Sequence, residues 1–181
     1  MTKILVINGS SRKNGNTAKL SNALITRSIQ RGNQVEKYNI YDLNIGPCTA
    51  CGKCYKKKTV PCIIDDDFNK IVESIKEAEV IVFSTPVYFY SIPGALKNLI
   101  DRMYAFVVGS IDLSNKRYAI ISSCAEEDMT SFDGLRIPIE KTANAFGWTL
   151  IDEVLAPNMV NKSDIENTDG IKRVRDLADK I

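Results

Sequence analysis

Histidine is absent from all 181 residues. That excludes Ser–His and Cys–His catalytic pairs and every histidine-ligated metal site. Chemistry must then come from a cofactor, from carboxylates, from tyrosine or lysine, or from thiolates. A charge surplus is lacking too: 24 Lys and Arg face 22 Asp and Glu, for a net charge of +2. So small a surplus supplies no field for a nucleic-acid partner. No apolar run is long enough to span a membrane, and Ile4–Ile7 is too short for a secretory leader. The expectation is a cytoplasmic protein whose thiols stay reduced. Internal repeats, low-complexity linkers and signs of a second domain are missing as well. With 44% hydrophobic and 25% charged residues, positions 1–181 read as one domain with a full-sized core.

What is present is an alternation of strand and helix patterns. Ile4-Leu5-Val6-Ile7 reads as a buried first strand, and Ala18, Leu20, Ala23, Leu24 and Ile29 mark a first helix running to Arg31 with Gly32-Asn33 as its stop. Residues 34–40 have strand character. Positions 41–67 are irregular and end in Asp65-Asp66-Asp67. That triplet suits the N-cap and first turn of a helix carrying Phe68, Ile71, Val72, Ile75 and Ala78; a metal site is the lesser reading. Residues 79–84 form a continuous apolar run, as in a parallel strand buried on both faces. Pro93 opens a helix with Leu96, Leu99, Ile100 and Met103. A strand over 117–123, a helix ending near Gly147, an edge-like strand over 148–155, a loose stretch over 156–170 and a closing helix complete the chain. The pattern predicts a doubly wound α/β sheet of five parallel strands, with helices on both faces and right-handed crossovers.

One loop organises this order. Asn8-Gly9-Ser10-Ser11-Arg12-Lys13-Asn14-Gly15-Asn16-Thr17 joins the first strand to the first helix. It offers hydroxyls, small residues, an arginine and the free N–H groups of a helix start, which together suit a phosphate. It lacks the Gly-Lys-Ser/Thr of a nucleotide P-loop and the spacing of the dinucleotide fingerprint. Its plain alternative is a polar turn capped by Asn14 or Asn16.

In a doubly wound sheet, ligands bind beyond the carboxyl ends of the strands, near the switch in strand order. Three loops meet there: 9–17, 85–91 and 122–128. The second carries Pro86, Val87, Tyr88 and Phe89, an apolar and aromatic wall for a flat ring. Alternatively, Tyr88 and Phe89 cover the core or a subunit contact. A phosphate loop beside an aromatic loop suits a phosphorylated ring system, flavin mononucleotide (FMN).

Four of the five cysteines, Cys48, Cys51, Cys54 and Cys62, lie within 15 positions. C-x2-C-x2-C is closer to iron–sulfur ligation than to two separated zinc knuckles. Structural thiols, zinc and, last, a disulfide remain open. Gly46, Pro47, Gly52 and Pro61 would let the chain wrap closely, and Lys53, Lys56, Lys57 and Lys58 could offset thiolate charge or simply be a solvated loop. Cys124 stands alone with no basic partner and reads as a small residue near the ring, not a nucleophile.

Gly9-Ser10-Ser11-Arg12-Lys13-Asn14-Gly15-Asn16-Thr17 resembles the first signature of the NAD(P)H-dependent FMN reductase family. Thr85-Pro86-Val87-Tyr88-Phe89 with Gly94-Ala95-Leu96-Lys97-Asn98-Leu99-Ile100-Asp101-Arg102 is similar to its second. The cysteine run followed by three aspartates resembles the iron–sulfur flavoprotein branch. The likeness covers roughly residues 3–125, and past Phe132 only the general pattern remains. It implies a flavodoxin-like fold with strand order 2-1-3-4-5. Ser10, Arg12, Asn16 and Thr17 would hold the FMN phosphate, with Gly15 allowing close approach. Pro86, Val87, Tyr88 and Phe89 would line the ring, and Ser123 and Cys124 would border it. Cys48, Cys51, Cys54 and Cys62 would carry a [4Fe–4S] cluster. No side chain is expected to be catalytic, since the chemistry is the flavin's. The implied activity moves electrons from NAD(P)H or a protein donor through FMN to a quinone, another flavin or a small oxidant. A homodimer or homotetramer is expected, with residues 92–104 in the contact. An electron carrier without its own substrate, and a flavin-free metal-binding or regulatory module, are the alternatives.

Overall fold

The computed structural model describes residues 1–56 and 62–181. The expectations placed on Lys57, Lys58, Pro61 and the Lys56 side chain fall outside what is described.

Five strands, β1 (Lys3–Asn8), β2 (Gln34–Asn39), β3 (Val80–Ser84), β4 (Arg117–Ser123) and β5 (Thr149–Ala156), form one sheet in the order β2-β1-β3-β4-β5. All four ladders are parallel. The helices are α1 (Asn16–Gln30), α2 (Phe68–Glu77), α3 (Gly94–Val108), α4 (Asp133–Ala145) and α5 (Gly170–Lys180). This is the doubly wound, flavodoxin-like arrangement that the sequence predicts.

The period-two alternation of a strand splits the core into two layers. Ile4, Val6, Val80, Val82, Ala119 and Ile121 point to one face and pack with Leu20 and Leu24 of α1 and Val174 and Leu177 of α5. Leu5, Ile7, Ile81, Phe83, Tyr118 and Ile120 point to the other and meet α2, α3 and α4 through Phe68, Ile71, Leu96, Leu99 and Leu135. All five residues of β3 are buried, as a central parallel strand requires. β2 and β5 are the edges, so the edge character of the fifth strand is as predicted.

Helix ends follow local chemistry. Gly32 takes φ +84° just beyond α1 and Gly147 takes φ +72° beyond α4, left-handed positions where glycine carries no Cβ penalty. Two predicted caps differ. Neither Asn14 nor Asn16 caps α1: Gly15 is the N-cap, and no side chain bonds the first turn there. The acidic triplet does not cap α2 in the expected way either, since Asp67 at its N-cap makes no capping bond. Asp67 accepts from Asn44 N–H and pairs with Lys70, Asp66 accepts from both Gly46 N–H and Phe68 N–H, and Asp65 is exposed. Backbone N–H donors at 44 and 46 and an arginine brought in from elsewhere share these carboxylates with the helix start, where Asp66 Oδ1 accepts from Phe68 N–H.

Among the described residues no helix is long and apolar enough to cross a membrane.

Candidate functional site

The chain leaves β1 to one side for β2 and crosses to the other for β3, so the strand order switches between β1 and β3. Hydrogen bonds continue past the strand ends and draw the three loops together. The Gly9 N–H donates to the Ser84 carbonyl at 2.8 Å, Thr85 N–H to Ile121 O at 2.9 Å, and Val87 N–H to Ser123 O at 3.1 Å. Gly9 has a steric reason to be glycine: a Cβ there would lie 2.4 Å from Thr85 Oγ1.

A cavity of about 350 Å3 opens at this point, within the range of small-molecule sites, about 300–1,000 Å3. All eleven residues expected at the cofactor line it: Ser10, Arg12, Gly15, Asn16, Thr17, Pro86, Val87, Tyr88, Phe89, Ser123 and Cys124. A larger open groove, about 630 Å3, runs between α1 and α5, but only helix residues line it and no strand end opens there.

The walls differ in chemistry. On one side stands the start of α1, with first-turn N–H groups that no side chain caps and a favourable dipole for an anion. Arg12 is exposed beside it and has no ion pair among the described residues. Thr17 is buried, and its hydroxyl lies 2.6 Å from that of Ser123, joining the first loop to the third. The opposite wall is the aromatic loop. Tyr88 and Ser91 exchange backbone hydrogen bonds around a two-residue turn in which Phe89 and Tyr90 both have positive φ, +45° and +62°. Two consecutive aromatic residues in the left-handed region are strained, a condition that concentrates at ligand sites. Gly134 of α4 supports this turn: a Cβ there would stand 1.9 Å from the Tyr90 carbonyl oxygen. Phe89 is 96% exposed, so the reading in which it covers the core is wrong. The Ser11 hydroxyl and the Tyr88 phenol, 2.9 Å apart, bridge the two walls.

The expectation of a loose stretch over 156–170 needs correction. Met159, Val160 and Lys162 complete the cavity wall. Asn16 holds this segment: its amide donates to Asn161 O at 2.7 Å and its Oδ1 accepts from Ile165 N–H at 3.3 Å. Met159 N–H donates to Cys124 O, and Ile165 is fully buried. The Asn16 side chain is therefore committed to the protein, leaving its backbone N–H for a ligand. The local sequence signal was only the polar composition of 157–170; the bonds that order it reach across more than 140 positions. Cys124 is buried, which pushes its thiol pKa up, with a bond from its sulfur to Glu126 O. A protonated, buried thiol agrees with a border role.

The cysteines form a second locus. Cys48, Cys51, Cys54 and Cys62 all line a cavity of about 200 Å3 against α3. Cys48 and Cys51 are exposed, Cys54 half-buried and Cys62 buried. All are free thiols. In number and chemistry the four thiols fit a thiolate-ligated group, and they line one cavity; among the described residues, no three Cys, Asp or Glu side chains stand close enough to grip a metal ion. The Cys51 thiol is pulled down chiefly by a hydrogen bond from the Lys53 backbone, against the opposing effect of burial.

Two described cations act on these thiols: the charge of Lys53 helps lower the Cys51 thiol, and a buried arginine reaches Cys62. Lys53 is exposed, whereas Arg102 of α3 is 1% exposed and donates from Nε to Cys62 Sγ at 3.1 Å. Its guanidinium pairs with Asp66, Nη1–Oδ2 at 2.8 Å and Nη2–Oδ1 at 3.1 Å. Burial alone would raise the Asp66 pKa, but bonds from Arg102, Gly46 N–H and Phe68 N–H hold it below the usual carboxylate range. Sequence reading assigned Arg102 only to a signature on a contact helix. Its role depends on a partner 36 positions away.

Comparison with known proteins agrees with this geometry. An iron–sulfur flavoprotein of Methanosarcina thermophila is 35% identical over 120 residues, covering 66% of this chain and 62% of the relative. The chain thus spans under two thirds of that relative's length. In three dimensions the fold matches an azoreductase of Bacillus anthracis with a TM-score of 0.77 over 100% of both chains, at 15% identity. It also matches an FMN-dependent NADH-azoreductase of the same species, solved with FMN, at a TM-score of 0.74 and 16% identity over 99% of each chain. These structural matches show the fold alone. The profile of the family described as NADPH-dependent FMN reductase covers residues 2–131, which include the loop over 9–17, the aromatic loop and the four clustered cysteines. With that match extending over most of the chain and through both loops of the cavity, the protein belongs to the NADPH-dependent FMN reductase family.

Proposed function

We propose that this protein is an FMN-dependent oxidoreductase that takes electrons from NADH or NADPH, or from a protein donor, and delivers them to a quinone, a flavin or another small acceptor. One observation carries the reading: an uncapped helix start, with an arginine that has no ion pair among the described residues, and a strained aromatic turn face each other across a single cavity at the sheet's switch point.

Bound FMN would supply the hydride and one-electron chemistry. The chain's own residues bind and orient it. Arg12, the Ser10 and Thr17 hydroxyls and the backbone N–H groups of Asn16 and Thr17 would hold the phosphate. Gly15 keeps that approach open, since a Cβ there would already meet Arg12 Cβ at 3.1 Å. Pro86, Val87, Tyr88 and Phe89 would shield the ring from water on one side, with Ser123 and Cys124 at its border. No residue has to move a proton for hydride transfer to the ring, which suits a chain without histidine. The same reading gives Cys48, Cys51, Cys54 and Cys62 to a [4Fe–4S] cluster; their shared cavity supports it. It extends to one FMN-binding domain over residues 1–181, acting in the cytoplasm as a homodimer or homotetramer. Residues 92–104 would lie in the subunit contact.

The test is anaerobic spectroscopy. Purified protein should release FMN on heating, and its flavin absorption should bleach rapidly on addition of NADPH or NADH. Bleaching by ferredoxin but by neither nicotinamide would make it an electron carrier. A colourless protein that retains no added FMN would overturn the proposal.

A further inference from the structure

Arg102 is the least expected side chain in the core. A guanidinium is costly to bury, and it is tolerated only when every N–H finds an acceptor. Here all five do. Nη1 donates to Asp66 Oδ2 and Gly46 O, Nη2 to Asp66 Oδ1 and Ile64 O, and Nε to Cys62 Sγ. The ring of Phe68 lies 4.8 Å below the guanidinium carbon. The first four bonds tie both ends of the cysteine segment, at 46 and at 64–66, to α3. Asn98, one helical turn earlier, adds a bond to Ile45 O at 3.0 Å.

That staple would be complete without sulfur. The fifth N–H instead points at the fourth member of the C-x2-C-x2-C-x7-C set. Cys62 is buried and held, whereas Cys48 and Cys51 are exposed. The set thus divides into one buried thiol held by Arg102, a half-buried Cys54 packed against the core, and two exposed thiols.

We propose that Arg102 is the positioning residue of the cysteine site: locked by Asp66, it fixes Cys62 Sγ as the anchor ligand on which the other three thiols close, and its N–H···S bond raises the reduction potential of the cluster held there. The proposal rests on reading the four cysteines as iron–sulfur ligands, and is independent of the FMN assignment. Hydrogen bonds to cluster sulfurs are one of the protein's levers on potential. A donor stabilises the more negative reduced form, so its loss makes reduction harder. Lysine keeps the positive charge but lacks the planar fork that serves Asp66 and Cys62 together.

The experiment uses R102K, with D66N as a milder second variant. Each protein is incubated anaerobically with ferrous iron and sulfide. Iron and sulfide content, the cluster's reduction potential and FMN content are then measured. N-ethylmaleimide labelling of the metal-free proteins, followed cysteine by cysteine by mass spectrometry, reports each thiol's accessibility. R102K is expected to retain FMN, to show a cluster potential more negative than that of the wild type, and to label Cys62 at least tenfold faster. D66N should change both in the same direction by less. A wild-type potential in R102K, or an unchanged Cys62 rate, overturns the proposal. If R102K does not fold, as shown by loss of FMN and of a cooperative melt, D66N decides on the same readouts. If the wild type itself takes up no iron and sulfide, the cluster reading and the claim on potential fail together. The anchored thiol is then judged by labelling: protection of Cys62 relative to Cys51 that vanishes in either variant upholds it, and equal rates in the wild type refute it.

Discussion

At the scale of single residues, Asp66 and Arg102 form the most buried ion pair among the described residues, with side chains 7% and 1% exposed. Breaking one partner of such a pair leaves an uncompensated buried charge, at about 3–5 kcal/mol. D66N should therefore lower the thermal midpoint by roughly 6–20 °C at pH 7, at about 2–4 °C per kcal/mol for a chain of this size. The acid limb gives the sign. Because the folded-state pKa of Asp66 is depressed, its contribution is present above the ordinary value of 3.8 and disappears as pH falls through the folded value. Melting curves from pH 7 to 2.5 should show wild type and D66N converging at the acid end. At the phosphate wall, the double variant R12A/T17A should lose FMN while keeping the far-ultraviolet circular dichroism of the wild type. FMN affinity equal to the wild type's by fluorescence titration would remove the phosphate role from these residues.

At the scale of elements, the site depends on two contacts between distant segments. Asn16 at the start of α1 ties down residues 157–165 by both ends of its amide. N16A leaves the Ile165 N–H without its acceptor, a loss of about 1–3 kcal/mol. Hydrogen exchange over 159–165 should speed up by tenfold or more, and FMN affinity should fall by about tenfold, because Met159, Val160 and Lys162 form part of the wall. Gly134 illustrates a conflict between local and tertiary preference. Alanine is better than glycine in a helix by about 1 kcal/mol, so by propensity G134A would stabilise α4. Its Cβ would instead collide with the Tyr90 carbonyl. G134A should therefore lower the melting temperature by several degrees and weaken FMN binding through the displaced aromatic turn. A higher melting temperature with unchanged FMN affinity would show that the turn yields freely.

At the scale of the whole molecule, cofactor binding and folding are linked, since the cavity exists only when three loops from three strands are assembled. At a free FMN concentration one hundred times the dissociation constant, the linkage is about 2.7 kcal/mol, or roughly 5–10 °C in melting temperature. Riboflavin, which lacks the phosphate, should produce much less of this shift, and R12A/T17A should produce little with either ligand. Much of the architecture was legible in the sequence, because a buried parallel strand must be apolar on both faces and an amphipathic helix must repeat its apolar positions. The runs Ile4–Ile7 and Val80–Ser84 and the stops at Gly32 and Gly147 carry that information locally. The two loops that line the cavity were legible for the same reason, as short motifs at strand ends. What the sequence determined, then, was the order of elements, the two loops that face the cavity and a set of thiols at ligand spacing. Tertiary structure alone decided what those groups meet. It committed the Asn16 amide to residues 161 and 165, paired Asp66 at the start of α2 with Arg102, aimed Arg102 Nε at Cys62, and made Met159, Val160 and Lys162 a wall of the site. Each of these is a pairing of a buried polar group across tens of positions or more, and such pairings are set by packing, which no local pattern records.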